Sequence, residues 1–177
     1  MPEVFRNDKD IVEVGDDWIA RLKQAAAESP LRRSRLCLHR NNDDHVQEMI
    51  IALCKDVLFR PHRHMKKSES FHIIEGELYV LIFDDNGKII RTIHMGPPGS
   101  GRMFCYRLSM SAWHAILPRS KYIIFHETTE GPFTPPKASQ FAPWAPAEPE
   151  ALRKFLESSL QNSLDSKPVF ESRFQER

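Results

Sequence analysis

Between Arg33 and Thr128 the chain reads as a succession of short apolar runs broken by turn signals. His45–Leu53, Ser70–Ile74, Tyr79–Asp84, Lys88–Ile93, Trp113–Leu117 and Tyr122–Phe125 stand out among them. Runs of this length, rich in Ile, Val, Phe and Tyr, predict strands rather than helices. Asn86-Gly87, between two such runs, predicts a hairpin with a type I′ turn. Gly96-Pro97-Pro98-Gly99-Ser100-Gly101 reads as a connection at the end of the β-structure, since no strand–loop–helix context makes it a phosphate cradle. Helical spacing is confined to the two ends. Trp18, Ile19, Leu22 and Ala26 form one stripe, capped by Asp16 or Asp17 and stopped at Ser29-Pro30. Leu152, Phe155, Leu156 and Leu160 form another over residues 149–161. Between the strands and the second helix lies a proline-rich stretch, expected as an extended strap anchored by Phe141 and Trp144. The divisions that follow are an arm and helix (1–32), a β-domain (33–130), the strap (131–148), and a helix with a weakly ordered tail (149–177).

Alternation fixes which residues share a face. If Ser70–Ile74 and Leu78–Phe83 continue one register, Phe71, Ile73, Leu78, Val80 and Ile82 turn inward. Ile74, Tyr79, Leu81 and Phe83 then turn outward. That outer face is too apolar for open water and requires a cover, either the terminal helices or a second subunit. A homodimer is the expectation drawn from it.

Composition narrows the function classes. With 177 residues, one domain with a sizeable core is expected. The net charge is +1, from 25 basic and 24 acidic residues, which gives no broad basic surface for nucleic acid. The local cluster Arg32-Arg33-Ser34-Arg35 reads as a solvated strand entry, with a groove for an anionic ligand as the alternative. Cys37, Cys54 and Cys105 are too few and too scattered for a disulfide framework or a metal knuckle. Buried free thiols at Cys37 and Cys54 suit a reducing cytoplasm. The first seventeen residues are polar and acidic, unlike a secretory leader, and no apolar run is long enough to span a membrane.

The chemistry concentrates in Pro61-His62-Arg63-His64. Residues two apart on a strand share a face with Cα atoms about 7 Å apart, so His62 and His64 can converge on one ion. If Met65–Ser68 is a four-residue hairpin loop, Glu69 lies opposite His64 and joins the same face. A carboxylate set among Phe71 and Ile73 is costly unless a cation offsets it. The same register turns Arg63, Ser70 and His72 away. A fourth ligand is best supplied by Trp113-His114, which opens another apolar strand. His39, His45, His94 and His126 read as structural or exposed, although His39 and Glu127 are the candidates for proton transfer. Gln47 is the candidate for substrate binding if it points inward, and a solvated residue if it does not.

The spacing His62, His64, Glu69, Gly76 resembles the first motif of the cupins. The wider pattern resembles the WbuC family of cupin metalloproteins, which is associated with bacterial surface-polysaccharide genes. The resemblance spans roughly residues 18–148. It is carried by Ser29–Arg33, His45–Gln47, Ile51-Ala52, Arg60–His64, Phe83–Gly87, Trp113-His114, Glu127 with Gly131-Pro132, and above all Phe141–Glu148. It implies a cupin double-stranded β-helix, or jelly-roll barrel, with His62, His64, Glu69 and His114 holding one divalent transition metal ion. Iron, manganese, nickel and zinc all suit that donor set. It further implies a small-molecule ligand, with a sugar-derived one the candidate in a polysaccharide setting, without assigning a reaction. Two positions depart from the pattern. Cys37 stands where the family usually has Asn, and Ser109–Ala112 replaces a Pro- and Gly-bearing turn before Trp113-His114, which predicts an altered entry for the strand carrying His114. An isomerase or epimerase, an iron-dependent dioxygenase, and a non-catalytic sugar-binding or regulatory cupin are the three readings this leaves.

Overall fold

The computed structural model describes residues 3–65, 67–109, 111–134 and 139–166. Eleven strands and two helices alternate little: β1 (Val4–Arg6), α1 (Asp16–Glu28), β2 (Arg33–Cys37), β3 (Val46–Cys54), β4 (His62–Arg63), β5 (Glu69–Glu75), β6 (Leu78–Phe83), β7 (Ile89–Met95), β8 (Cys105–Leu108), β9 (Trp113–Pro118), β10 (Tyr122–Glu130), β11 (Gln140–Phe141) and α2 (Pro149–Asp165). They form a six-stranded sheet ordered β1-β2-β3-β10-β5-β8 and a five-stranded sheet ordered β11-β4-β9-β6-β7. The fold is the mainly β architecture expected, but the two sheets are not closed into a barrel; they face each other across a shared interior.

That interior holds Leu53, Phe71, Ile73, Leu78, Val80, Ile82, Met95, Ile116, Ile123 and Phe125. The inward set read from alternation is therefore correct, although the connection assumed for it is not. β5 and β6 are not a hairpin. They belong to different sheets, and Gly76 carries the chain across at φ +80°, where a Cβ would sit 2.2 Å from the Tyr122 carbonyl oxygen. Only glycine fits that turn. The residues before β5 correct the register argument in the same way. His64 and Glu69 are not opposed in a hairpin, because β4 pairs with β9 and β11 while β5 pairs with β10 and β8.

Both sheets are covered on their outer faces by a helix of the same chain. Leu22, Ala25 and Ala26 of α1 pack on Leu36, Ile50, Ala52 and Ile124. Leu152, Leu156 and Leu160 of α2 pack on Leu81, Phe83, Ala115 and Leu117, with Phe155 and Trp144 at the margin. Each fully buried leucine contributes about 1.5–3 kcal/mol. Leu81 and Phe83, the outward residues that demanded a cover, are thus closed off by α2, and this face does not call for a second subunit. Ile74, on the other sheet, stays exposed.

Other local expectations shift. Gly15, not Asp16 or Asp17, is the N-cap of α1; the two aspartates fill its first turn, where their charge complements the helix dipole. The arm contains β1, which adds a parallel edge strand to β2. The Asn86-Gly87 turn is not type I′, since among described non-glycine residues only Arg32 has positive φ. Instead the Gly87 N–H donates to the Asp84 carbonyl, Gly87 takes φ +84°, and the Asp84 side chain accepts from the Asn86 and Lys88 backbone N–H groups. A Cβ on Gly87 would meet the Trp144 ring at 2.8 Å. In the strap, Phe141 is exposed and Ala142 and Ala145 are buried in its place, while residues 135–138 lie outside the described residues. α2 runs to Asp165, four residues beyond the stripe; most of the predicted tail, 167–177, lies outside the described residues.

Candidate metal centre

β9 is buried on both faces, which explains its unbroken apolar run. Trp113, Ala115 and Leu117 face α2, and His114 and Ile116 face the interior. β4 lies beside β9 with His62 directly opposite His114. His64 follows two residues later. The ring centroids of the three imidazoles lie 4.4 Å (His62–His114), 5.0 Å (His62–His64) and 5.3 Å (His64–His114) apart. One potential ligand atom from each falls within 4.8 Å of the others, so His62, His64 and His114 can hold a metal ion.

The second nitrogen of each ring is already engaged. His62 Nδ1 lies 3.0 Å from the Arg60 carbonyl oxygen and His114 Nδ1 lies 3.0 Å from that of Ala112, so each Nδ1–H donates and leaves Nε2 with a lone pair. His64 Nδ1 contacts Ser139 Oγ at 3.1 Å. Metal-bound histidines are oriented by this kind of outer contact. Burial, reinforced by the charge of His114, lowers the His62 pKa to about 4, which keeps the ring neutral and able to ligate at neutral pH.

The carboxylate comes from the opposite sheet. Glu69 is 3% exposed, with its two oxygens 3.2 Å from His64 Nε2 and 3.2 Å from His114 Nε2. Tyr106 Oη donates to it at 3.4 Å. Burial opposes the charged form of Glu69, but the hydrogen bond from His64 and the charges of His114 and His64 outweigh it, so its pKa is lowered. Burial and the neighbouring Glu69 charge raise the pKa of Tyr106. Three imidazoles, two of them with Nε2 lone pairs directed by their Nδ1 contacts, around one buried carboxylate are a donor set that fits a divalent transition metal.

The remaining candidates sort by position. Glu127, half-buried on β10, borders the same cavity of about 270 Å³ as the imidazoles and Glu69. Burial first, then the charge of Glu69, pushes its pKa up to about 8. His39 is buried and its Nδ1 accepts from the Glu48 N–H, a strand-edge contact. Gln47 points inward and is buried, but its amide donates to the Asn41 and Asp44 carbonyls, so it ties down a loop. Both border an adjoining cavity that shares His64, Glu127 and Arg35 with the first. His72 is exposed, as its register required. His94 pairs with Glu77 at 2.8 Å, His126 lies 3.5 Å from Glu48, and His45 is exposed. Ser111 does not take positive φ, and His114, 2% exposed, reaches the cluster despite the altered turn; Met110 lies outside the described residues.

Sequence reasoning missed Tyr106 and Ser139, and it ranked a solvated strand entry above a groove for Arg33 and Arg35, which border the cavity. For the arginines a signal existed in the Arg-x-Arg alternation, which puts both on one strand face. For Tyr106 and Ser139 nothing local marks the contact, since each reaches its partner across many residues of chain.

A family model described only as a domain of unknown function (DUF6016) matches residues 14–95. No curated protein matches the chain. Among solved structures, a Shewanella oneidensis protein is similar at 10% identity over 60% of this chain and 72% of its own, with a TM-score of 0.50. CapF crystallised with the inhibitor 3-isopropenyl-tropolone is similar at 16% identity over 64% of this chain and 32% of its own, with a TM-score of 0.51. The cupin domain of Schizosaccharomyces pombe Cnp3 matches at 14% identity over 56% of this chain and 65% of its own, with a TM-score of 0.43. CapF from Staphylococcus aureus is described as a capsular polysaccharide assembling protein. At these identities the likeness is one of fold: this chain has the cupin architecture, two facing sheets with a histidine cluster between them that can hold a metal.

Proposed function

We propose that the chain is a metal-binding cupin of the WbuC type, in which His62, His64, Glu69 and His114 hold one divalent transition metal ion. We infer further that it acts on a small polar, oxygen-rich molecule, with isomerisation or epimerisation as the reaction class. The observation that carries the reading is the convergence of three imidazoles, two of them oriented through Nδ1, on a buried carboxylate beside a cavity. When bound, the ion would supply Lewis-acid polarisation of a substrate carbonyl or hydroxyl. Glu69 and the imidazoles hold the position. Tyr106 orients Glu69. Glu127, whose carboxyl burial pushes above the ordinary range, borders the cavity and is suited to exchange a proton with substrate carbon. Ile51, Leu53, Phe59, Phe71, Ile116 and Phe125 give the cavity an apolar wall beside these groups.

That same apolar wall favours a second reading, an iron-dependent dioxygenase. The two differ in what Glu127 must do. Protein purified without added metal, assayed by elemental analysis and then against a nucleotide-sugar panel with and without oxygen, separates them. Isomerisation requires no oxygen and is lost in Glu127→Gln. Oxygen-dependent turnover that survives Glu127→Gln favours the dioxygenase. Metal-dependent binding without turnover leaves a sugar-binding or regulatory cupin. Wild-type protein without stoichiometric metal, or His64→Ala protein with full metal content, overturns the metal reading itself. The free thiols Cys37, Cys54 and Cys105 suit a reducing compartment such as the cytoplasm. Among the described residues no helix is long and apolar enough to cross a membrane.

A further inference from the structure

The cavity is not uniformly apolar. On β2, Ser34 and Leu36 are buried beneath α1, so Arg33 and Arg35 share the opposite face. Their partners on β3 are Leu53 and Ile51, which belong to the interior packing. Two guanidinium groups with Cα atoms about 7 Å apart therefore border a cavity whose far side carries the imidazoles. The Arg33 guanidinium lies 5.7 Å over the Phe59 ring, and Arg35 reaches 4.0 Å from the Met49 sulfur. Among the described residues neither arginine makes an ion pair with a carboxylate. The adjoining cavity shares Arg35 and adds Arg6 and Lys67, with Glu127 and Glu130 also on its border.

Both side chains keep solvent exposure where they border the cavity, and Glu3 and Glu127 share its lining. Two like charges side by side on one strand face are unfavourable for folding alone. Desolvation, with the charge of Arg35 next in size, lowers the pKa of Arg33 against the opposing charge of Glu3. An arginine fork is built for planar or tetrahedral oxyanions. We propose that Arg33 and Arg35 form the binding site for the anionic group, carboxylate or phosphate, of a small polyhydroxylated substrate whose other end reaches the imidazole cluster. The inference deepens the metal-binding reading and rests on it for where the neutral end goes. The anion preference itself rests on the arginines.

The test uses a matched set of probes, glycerol, glycerate and glycerol 3-phosphate, titrated calorimetrically into metal-loaded and metal-stripped full-length protein. Wild-type protein should bind one or both anions roughly tenfold to a hundredfold more tightly than glycerol. The preference should weaken as salt rises from low to physiological. It should collapse in Arg33→Gln/Arg35→Gln protein while metal content stays at the wild-type level. Glycerate bound in preference to glycerol 3-phosphate assigns a carboxylate; the reverse assigns a phosphate. Equal binding of glycerol and both anions, no binding of either anion at millimolar concentration, or a preference retained by the double variant overturns the proposal. Metal analysis of the same samples keeps the two readings apart. Wild-type protein that never holds metal but shows an arginine-dependent anion preference removes the metal centre and leaves the anion site standing.

Discussion

The two sheets contribute different chemistry to one cavity. The five-stranded sheet presents the imidazoles of His62 and His114, and His64 follows directly from β4. The six-stranded sheet presents the acids Glu69 and Glu127 and the cations Arg33 and Arg35. Neither sheet has a site by itself. Among the described residues, the imidazole sheet brings no carboxylate to the cavity and the acid–arginine sheet brings no imidazole to it. The chain crosses between them at residues 64–69 and again at Gly76, so a short stretch of sequence places its first half on one wall and its second half on the other. The difference teaches that Glu69 belongs with the histidines because the sheets face each other, not because a hairpin joins them.

Removing donors from one wall at a time is the sharpest way to break that comparison. His114→Ala should lower metal content more than tenfold by elemental analysis, with affinity falling roughly a hundredfold or more. Glu69→Gln should do so to a comparable degree. Full metal retention in Glu69→Gln beside loss in His114→Ala would make the centre a property of the imidazole sheet alone. The outer covers can be compared next. Leu156→Ala, at a fully buried position of α2, should cost about 2–5 kcal/mol in denaturant unfolding, and Leu22→Ala in α1 about the same. A near-zero effect for Leu156 would mean that α2 is not the cover of Leu81 and Phe83.

Acid–base behaviour distinguishes the walls in the metal-free protein, with opposite signs. Glu127 has a folded pKa of about 8 against an ordinary 4.5. Between those values the unfolded chain has released the proton that the folded protein still holds, so this group makes stability fall as pH rises from 4.5 to 8. His62 has a folded pKa of about 4 against an ordinary 6.5. Between those values the unfolded chain binds the extra proton, so this group makes stability fall as pH drops from 6.5 to 4. Glu127→Gln should flatten the upper slope and leave the lower one, as read from melting temperature against pH. An unchanged upper slope removes Glu127 from the buried titrating groups. The smallest effect is expected outside the cavity. Asp85→Ala removes the carboxylate that accepts from Trp113 Nε1 at 2.9 Å and should cost about 1 kcal/mol or less, with metal content unchanged.

Sequence periodicity was enough to find the longer strands, the two helices and the inward set Phe71, Ile73, Leu78, Val80 and Ile82, but not β1, β8 or β11, because alternation and helical spacing are local properties that need several residues to show. It also assigned His72 to the outside and flagged Leu81 and Phe83 as needing cover. The same local logic misassigned the connections, since a four-residue loop between two strands reads equally well as a hairpin or as a crossover. Phe141 was read as an anchor on size, whereas the close approach of the strap selects the small residues Ala142 and Ala145 for burial. Arg33 and Arg35 were legible as a same-face pair, but whether that face meets water or a cavity depends on β3 and the opposing sheet. What the sequence by itself determined is thus the longer elements, the face their residues take and the residue types able to bind metal. Only the tertiary structure decided which wall each element joins, that His62 lies opposite His114, and that Glu69, Glu127 and the arginines border one cavity. The physical reason is that strand pairing and sheet stacking are set by the burial of distant apolar surfaces against each other, which no local pattern encodes.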